Sequence, residues 1–489
     1  MTASVEAGRV EYDSLGAVTV PAQAYYGIHT ARAVQNFPIT GVTVAAYPEF
    51  VGALAAVKQA AAQANRDLGL LDERRAAAIV AACEEIRAGG LHEHFVVDAI
   101  QGGAGTSTNM NANEVVANRG LEILGFTRGD YAELDPLGHV NMSQSTNDVY
   151  PTAVKIALQE QIAVLVSTLR EVSAAFAAKA GEFSDVLKMG RTQLQDAVPM
   201  TLGQEFGTYA VMVAEDADRL GETTQLIAEI NLGGTAIGTG LNAHPRYAGL
   251  VCEKLIAATG LPLSTASDLV EATQDVGAFV QVSGVLKRTA LKLSKICNDL
   301  RLLSSGPRAG FNEINLPAVQ PGSSIMPGKV NPVIPEVVNQ VAFQIVGADV
   351  AVSMAAEAGQ LQLNAFEPII AHSLFQSLTH LNRACHTLID KCITGITANR
   401  DHLMHSVTHS IGVVTALSPY IGYAEAARIA KRALHTGQAI PDLVVAERLL
   451  TPDQVKALLT PEALVGPREL LELEREIATR GSRKGNDNS

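Results

Sequence analysis

The chain has 489 residues, 47% of them apolar and 18% charged, with a formal net charge of −13. That composition belongs to a globular protein long enough for two or three domains, not to a disordered chain. The acidic balance argues against a nucleic-acid partner and repels small anions at long range, so any anion site must be a local array of donors.

The start of the chain, Met1-Thr-Ala-Ser-Val-Glu-Ala-Gly-Arg9, lacks an apolar secretory segment. The five cysteines, Cys83, Cys252, Cys297, Cys385 and Cys392, form no C-x-x-C pair. They read as reduced core thiols, so the expected compartment is cytoplasmic. No run of about twenty apolar residues stands out, so no membrane span is expected.

In chain order, the first forty residues mix glycine, proline and isolated apolar residues and predict irregular structure with a short hairpin. From Pro48 the pattern turns helical: Phe50-Val51, Leu54, Val57-Lys58 and Ala61 keep one face apolar, and a second helix runs from Leu71 to Ala88. The stretch Gly102-Gly-Ala-Gly-Thr-Ser-Thr-Asn-Met-Asn-Ala-Asn113 then interrupts with a loop rich in hydroxyls and amides. Five long helical patterns follow, near Asn147–Phe183, Met200–Ile230, Ser267–Leu303, Pro332–Gly359 and Asn364–Asn399. In the third, Leu269, Ala272, Val276, Phe279, Ser283, Leu286, Ala290, Leu293, Cys297 and Leu300 alternate in steps of three and four, a heptad seam of near-parallel helices. Thr265-x-x-Asp268 predicts its capping box. The expected fold is all-α, with a central long-helix bundle. The expected domains are 1–144, 145–400 and 401–489, and Gly481–Ser489 reads as a frayed tail.

Four stretches carry candidate chemistry. Gly322-Ser-Ser-Ile-Met-Pro-Gly-Lys-Val-Asn331-Pro332 pairs two hydroxyls with a lysine and an asparagine between two glycines, a loop able to close over a small anion. Its spacing excludes a nucleotide P-loop, since five residues rather than four separate Gly322 from Gly328 and Val330 follows Lys329. Thr106-Ser-Thr-Asn109, Ser143-Gln-Ser-Thr-Asn-Asp148 and Gly190-Arg-Thr-Gln-Leu-Gln-Asp196 share its neutral donors. The first lies in the glycine-rich loop and the other two directly before long helices, where free N–H groups and the positive dipole end suit a carboxylate. A helix over Asn147–Phe183 spans roughly 55 Å at 1.5 Å per residue. With an antiparallel successor, Thr146 and Gln193 fall at opposite ends, so one site could hold both only if it were built from several chains. His402, His405 and His409 sit near metal-ligand spacing, but nothing completes a metal motif, and surface or packing histidines are expected there.

These four stretches, in this order, resemble the signature regions of the fumarase/aspartase superfamily, and the likeness runs from Ala24-Tyr-Tyr-Gly27 to Ser410-Ile-Gly-Val-Val-Thr-Ala-Leu-Ser-Pro-Tyr-Ile-Gly422. Asn312-Glu-Ile-Asn-Leu-Pro317 and Val333-Ile-Pro-Glu-Val-Val-Asn-Gln-Val341 are similar to the aspartases, the ammonia-lyase branch. Fumarases carry a histidine at the position of Gln193, paired with a carboxylate at the place of Glu336. A glutamine takes no proton near neutral pH, which counts against water addition without singling out aspartases.

The resemblance implies a three-domain, all-α homotetramer with a central bundle of twenty helices and active sites shared among chains. It implies reversible deamination of L-aspartate to fumarate and ammonia, with fumarate hydration or a non-catalytic relative as the alternatives. By matching motif positions, Ser323 is the general base, and Thr106, Ser145, Thr146 and Ser324 hold the β-carboxylate. Lys329, Asn331 and Thr192 hold the α-carboxylate, and Asn147 and Gln193 face the amino group. No cofactor motif and no metal-binding motif is visible; divalent-cation activation is not legible in the sequence.

Overall fold

The computed structural model describes residues 8–460 and 464–465. A short antiparallel hairpin, β1 (Gly8–Asp13) and β2 (Gly16–Pro21), opens the chain, as expected for its first forty residues. Helices α1 (Ile28–Asn36), α2 (Pro48–Asp67), α3 (Glu73–Arg87) and α4 (Thr106–Ile123) follow, then the 37-residue α5 (Thr146–Glu182). A second hairpin, β3 (Leu187–Thr192) and β4 (Gln195–Thr201), precedes α6 (Leu202–Glu222). Then come α7 (Tyr247–Thr259), the short α8 (Glu271–Gln274), α9 (Gly277–Leu303), α10 (Val333–Glu357) and α11 (Glu367–Lys391). Beyond them α12 (Arg400–His409), α13 (Val413–Ile421) and α14 (Tyr423–Thr436) begin the last helical stretch. The fold is all-α, its strands confined to two-stranded pairs. The expected frayed tail lies outside the described residues.

The chain divides into two compact units. The first comprises residues up to Thr168, Asp216–Leu291 and Gln340–Arg383; the second comprises Leu169–Glu215, Lys292–Asn339 and the residues from Ala384 onward. In the first unit α2 is the hub: Leu54, Val57, Ala60, Ala61 and Ala64 are all fully buried. Alanines on this face let α3 and α7 approach closely. In the second unit Phe176, Phe183, Phe206 and Tyr209 stack edge to face, the arrangement that ring quadrupoles favour. Leu417, Ile429, Ala433, Ile440, Leu443 and Val444 form a separate cluster under the C-terminal helices.

The heptad seam is buried from Val276 through Phe279, Ser283, Leu286, Ala290, Leu293 and Cys297 to Leu300. Its first three members, Leu269, Ala272 and Val276, precede the long helix, which starts at Gly277. Asp275 is extended (φ −81°, ψ 128°) and accepts the Gly277 N–H, which breaks the helix there. Thr265 is strand, and Asp268 caps the short α8 instead, accepting from Val270 and Glu271. The predicted capping box is therefore absent. A second correction concerns apolar length. Both α5 and α10 are long and apolar enough to cross a membrane by length and composition. Outside its most apolar stretch α5 also holds buried Thr152, Lys155 and Gln159, side chains that need polar partners.

Candidate active site

In the first unit the candidate donors gather where α4 and α5 begin. Gly105 precedes α4 with φ 89°, and a Cβ there would lie 2.2 Å from the Tyr150 ring of α5. Only glycine allows that approach, which sets Thr106 beside the start of α5. Thr106 donates to the Gly103 carbonyl at 2.7 Å, while one turn further on Asn109 donates to Thr146 Oγ1 at 3.1 Å. Ser145 caps α5: its hydroxyl accepts the Asn147 N–H at 3.2 Å, and its own N–H goes to Asp148 Oδ1 at 2.9 Å. Asn147 donates one of its two amide N–H groups to the Ala236 carbonyl at 2.6 Å, and among the described residues its side-chain carbonyl accepts no hydrogen bond. Ser143, Gln144 and Ser145 line a cavity of about 190 Å³ together with Thr235, Ala236, Leu241 and Asn242.

Residues the motif reading passed over hold this cluster in place. Asp148 is fully buried and accepts from Gly233 N–H at 3.0 Å and Thr235 N–H at 2.9 Å, tying the 231–242 loop to α5. Burial pushes its carboxyl up to about 6, against the pull of those N–H groups and of Lys58. Lys58, fully buried in α2, donates to Asn109, Asn141 and Gln144. Burial draws its ammonium down to about 7, opposed by the charge of Asp148. A lone lysine on the alanine-rich face of α2 was the available signal.

The second unit holds the remaining candidates. Thr192 and Gln193 do not open a helix, as expected, but lie at the tip of the β3–β4 hairpin, ten residues before α6. Gln193 and Leu194 both adopt left-handed backbone, with φ 53° and 62°. That pair of conformations is the two-residue hairpin turn whose twist matches the strands. The reason is tertiary. Below the tip, buried Lys188 pairs with Glu205 at 2.6 Å and Glu313 at 2.7 Å, and Arg191 reaches Glu313 at 2.5 Å. Arg191 also covers the Phe311 ring. Asp196 accepts from Ser410 at 2.8 Å on the other strand. A hairpin pinned on both strands presents exposed Thr192 and Gln193 at its tip.

The loop 322–331 closes on itself. Gly322 N–H donates to the Lys329 carbonyl at 2.7 Å, and Asn331 Nδ2 donates to the Gly322 carbonyl at 2.8 Å. A Cβ at Gly322 would sit 2.7 Å from both Lys329 O and Asn331 N, so the closure requires glycine. Inside it, Ser323 Oγ accepts two backbone N–H groups, from Ile325 at 3.1 Å and Met326 at 2.9 Å. Two converging N–H dipoles favour negative charge on that oxygen. Ser324 and Lys329 are exposed, and Ile325 is 82% exposed, so the loop projects outward just before α10. Among the described residues no hydrogen bond joins this loop to Thr192 or Gln193. The three histidines are surface groups: His405 and His409 stack with centroids 4.0 Å apart, and His402 meets the Phe311 carbonyl. Among the described residues no cluster of three or more His, Cys, Asp or Glu could hold a metal ion.

The candidate donors thus stand at a helix start in the first unit, and at a hairpin tip and a glycine-bracketed serine loop in the second. Residues 16–347 match the Lyase family model, and residues 413–466 match the Fumarase C C-terminus model. The chain belongs to this lyase family, within the fumarase/aspartase superfamily. It is 60% identical to a Pseudomonas aeruginosa protein named aspartate ammonia-lyase, over 95% of this chain and 98% of that protein. An Escherichia coli protein of the same name is 52% identical over 94% of this chain and 96% of its own length. Among solved structures, a fumarate lyase:delta crystallin from Brucella melitensis bound to cobalt is similar with a TM-score of 0.92 and 54% identity, covering 94% of this chain and 100% of that one. A class II fumarase from Schistosoma mansoni is similar with a TM-score of 0.89 at 35% identity, covering 95% of this chain and 100% of that one.

Proposed function

We propose that this chain is an aspartate ammonia-lyase, converting L-aspartate reversibly to fumarate and ammonia. The observation that carries the reading is 60% identity, nearly end to end, to a relative of that name. The fold alone does not decide, since a fumarase shares it at 35% identity. Gln193 at the hairpin tip counts against hydration, because a glutamine side chain is no proton acceptor at neutral pH.

In the proposed reaction Ser323, as an alkoxide, takes the Cβ proton of aspartate. The electron pair left on Cβ moves into the adjacent carboxylate, giving an aci-carboxylate dianion. The Cα–N bond then breaks, ammonia leaves with its electron pair, and the Cα–Cβ double bond of fumarate forms. The main demand is to stabilise charge as it develops, which preorganised hydroxyl, amide and backbone donors do without reorganising. Thr106, Ser145, Thr146 and Ser324 are assigned to the β-carboxylate and Lys329, Asn331 and Thr192 to the α-carboxylate. Asn147, through its carbonyl, and Gln193 are assigned to the amino group. The N–H pair on Ser323 Oγ supports the base assignment, because it favours the alkoxide over the alcohol.

We further propose a cytoplasmic homotetramer with shared sites, no membrane or nucleic-acid partner, and domains 1–144, 145–400 and 401–489. Two observations support sharing. Thr146 opens α5 and Thr192 follows its far end, in a helix of 37 residues, about 55 Å long. The other is an exposed apolar stripe on α10, Phe343, Val350 and Met354. Incubating the protein with fumarate, with and without ammonium, tests the function. Aspartate formed only with ammonium supports it; malate formed in plain buffer overturns it in favour of hydration.

A further inference from the structure

Lys58 is the one buried ionisable side chain of α2, 0% exposed among apolar residues. A lysine ammonium has three donors and no acceptor. Each of the three amides around it must therefore turn its oxygen inward: Asn109 Oδ1 at 2.6 Å, Asn141 Oδ1 at 3.0 Å and Gln144 Oε1 at 2.9 Å. Their NH2 groups are then forced to point away from the lysine. Gln144 spends its pair on the Val140 and Met142 carbonyls, and Asn141 donates to the Gln144 carbonyl. Asn109 donates to Asn141 Oδ1 and to Thr146 Oγ1, both at 3.1 Å.

This last bond has a directional consequence. A hydroxyl that accepts a hydrogen bond keeps its single proton for a different acceptor. Among the described residues no hydrogen bond uses Thr146 as a donor, so that proton has no protein partner to satisfy.

We propose that Lys58 is a positioning residue of the reaction: its buried ammonium fixes the Asn109 amide, and Asn109 in turn aims the Thr146 hydroxyl proton at the substrate carboxylate. The chain of polarity runs ammonium to amide oxygen, amide N–H to hydroxyl oxygen, hydroxyl proton to anion, all with the same sign. It delivers the effect of a cation to the anion site while the cation stays buried. This rests on the assignment of Thr146 to a carboxylate.

The test is a pair of double-mutant cycles with L-aspartate, reading KM, kcat and thermal midpoint. Lys58→Met removes the charge, and Asn109→Asp keeps a partner for Lys58 but takes the Thr146 proton for its own carboxylate. Each variant should raise KM roughly tenfold in the wild-type background, the loss of about one hydrogen bond to a charged group. In a Thr146→Val background each should change KM by less than about twofold, because the two positions act through one another. Asn109→Asp exchanges its bond to Asn141 for an ion pair with Lys58, its thermal midpoint reports whether it folds, and it carries the test if Lys58→Met fails to fold. Equal KM increases in both backgrounds, or none in either, overturn the proposal for Lys58. A Thr146→Val protein with unchanged KM overturns the carboxylate assignment itself, a separate and recognisable failure.

Discussion

Ser323 and Lys329 lie six residues apart in one loop but have opposite requirements in the proposed mechanism. Ser323 Oγ is already supplied with two backbone N–H donors, so its environment is built before substrate arrives. Lys329 is exposed and contributes backbone groups to the loop, its carbonyl accepting from Gly322 and its N–H donating to the Met326 carbonyl. Its ammonium is free to meet a carboxylate when the loop folds down. Lys329→Ala is therefore expected to raise KM for L-aspartate roughly 10- to 100-fold, the loss of a charge-assisted bond, with a smaller change in kcat. Steady-state kinetics check this; an unchanged KM would make Lys329 a loop residue only.

At the scale of elements, the β3–β4 hairpin carries its cost in its turn. Leu194 holds φ 62° with a side chain 64% exposed, so neither glycine's freedom nor burial compensates the left-handed backbone. Leu194→Gly should stabilise the protein by about 0.5–1 kcal/mol in urea titrations. Destabilisation would mean that the leucine side chain has a contact of its own in the assembled protein.

The same hairpin marks the edge of what the residues disclosed in advance. The long helices were legible because Val276 to Leu300 repeats in steps of three and four. Ser145 was legible as a helix start because Ser-Thr-Asn-Asp is cap chemistry. Gly190–Asp196 was not, because its turn has neither Asn-Gly nor Asp-Gly and is imposed by the Lys188–Glu313–Arg191 pairing, which joins residues over 120 positions apart. Lys58 was placed on its helix correctly, but its three amide partners come from two other stretches of chain, and no local pattern announces them.

For the molecule as a whole, charge burial and exposed apolar surface each yield an expectation. Glu367, in the first turn of α11, is fully buried; burial pushes its carboxyl up to about 8, with Lys155 pulling the other way. Its native state thus holds a proton that the unfolded chain releases near 4.5. Stability contributed by this group is present below about 4.5 and is lost as pH rises toward about 8, with a slope of at most about 1.4 kcal/mol per pH unit. Glu367→Gln should flatten that part of the stability–pH curve in urea unfolding between pH 5 and 8, and an unaltered curve would place the titration elsewhere. On α10, Phe343, Val350 and Met354 recur at spacings of seven and four, leaving one apolar stripe exposed. Phe343→Glu with Met354→Glu should shift the protein to smaller species in light scattering and abolish activity with it. A fully active smaller species would end the case for shared sites.

The most direct measurement follows the ultraviolet absorbance of fumarate after L-aspartate is added, with ammonia assayed in parallel, for the wild type and for Ser323→Ala. The proposed reaction requires one ammonia per fumarate in the wild type, and no turnover from Ser323→Ala although it still binds aspartate in calorimetry. Fumarate without ammonia, or near-normal turnover from Ser323→Ala, would contradict it.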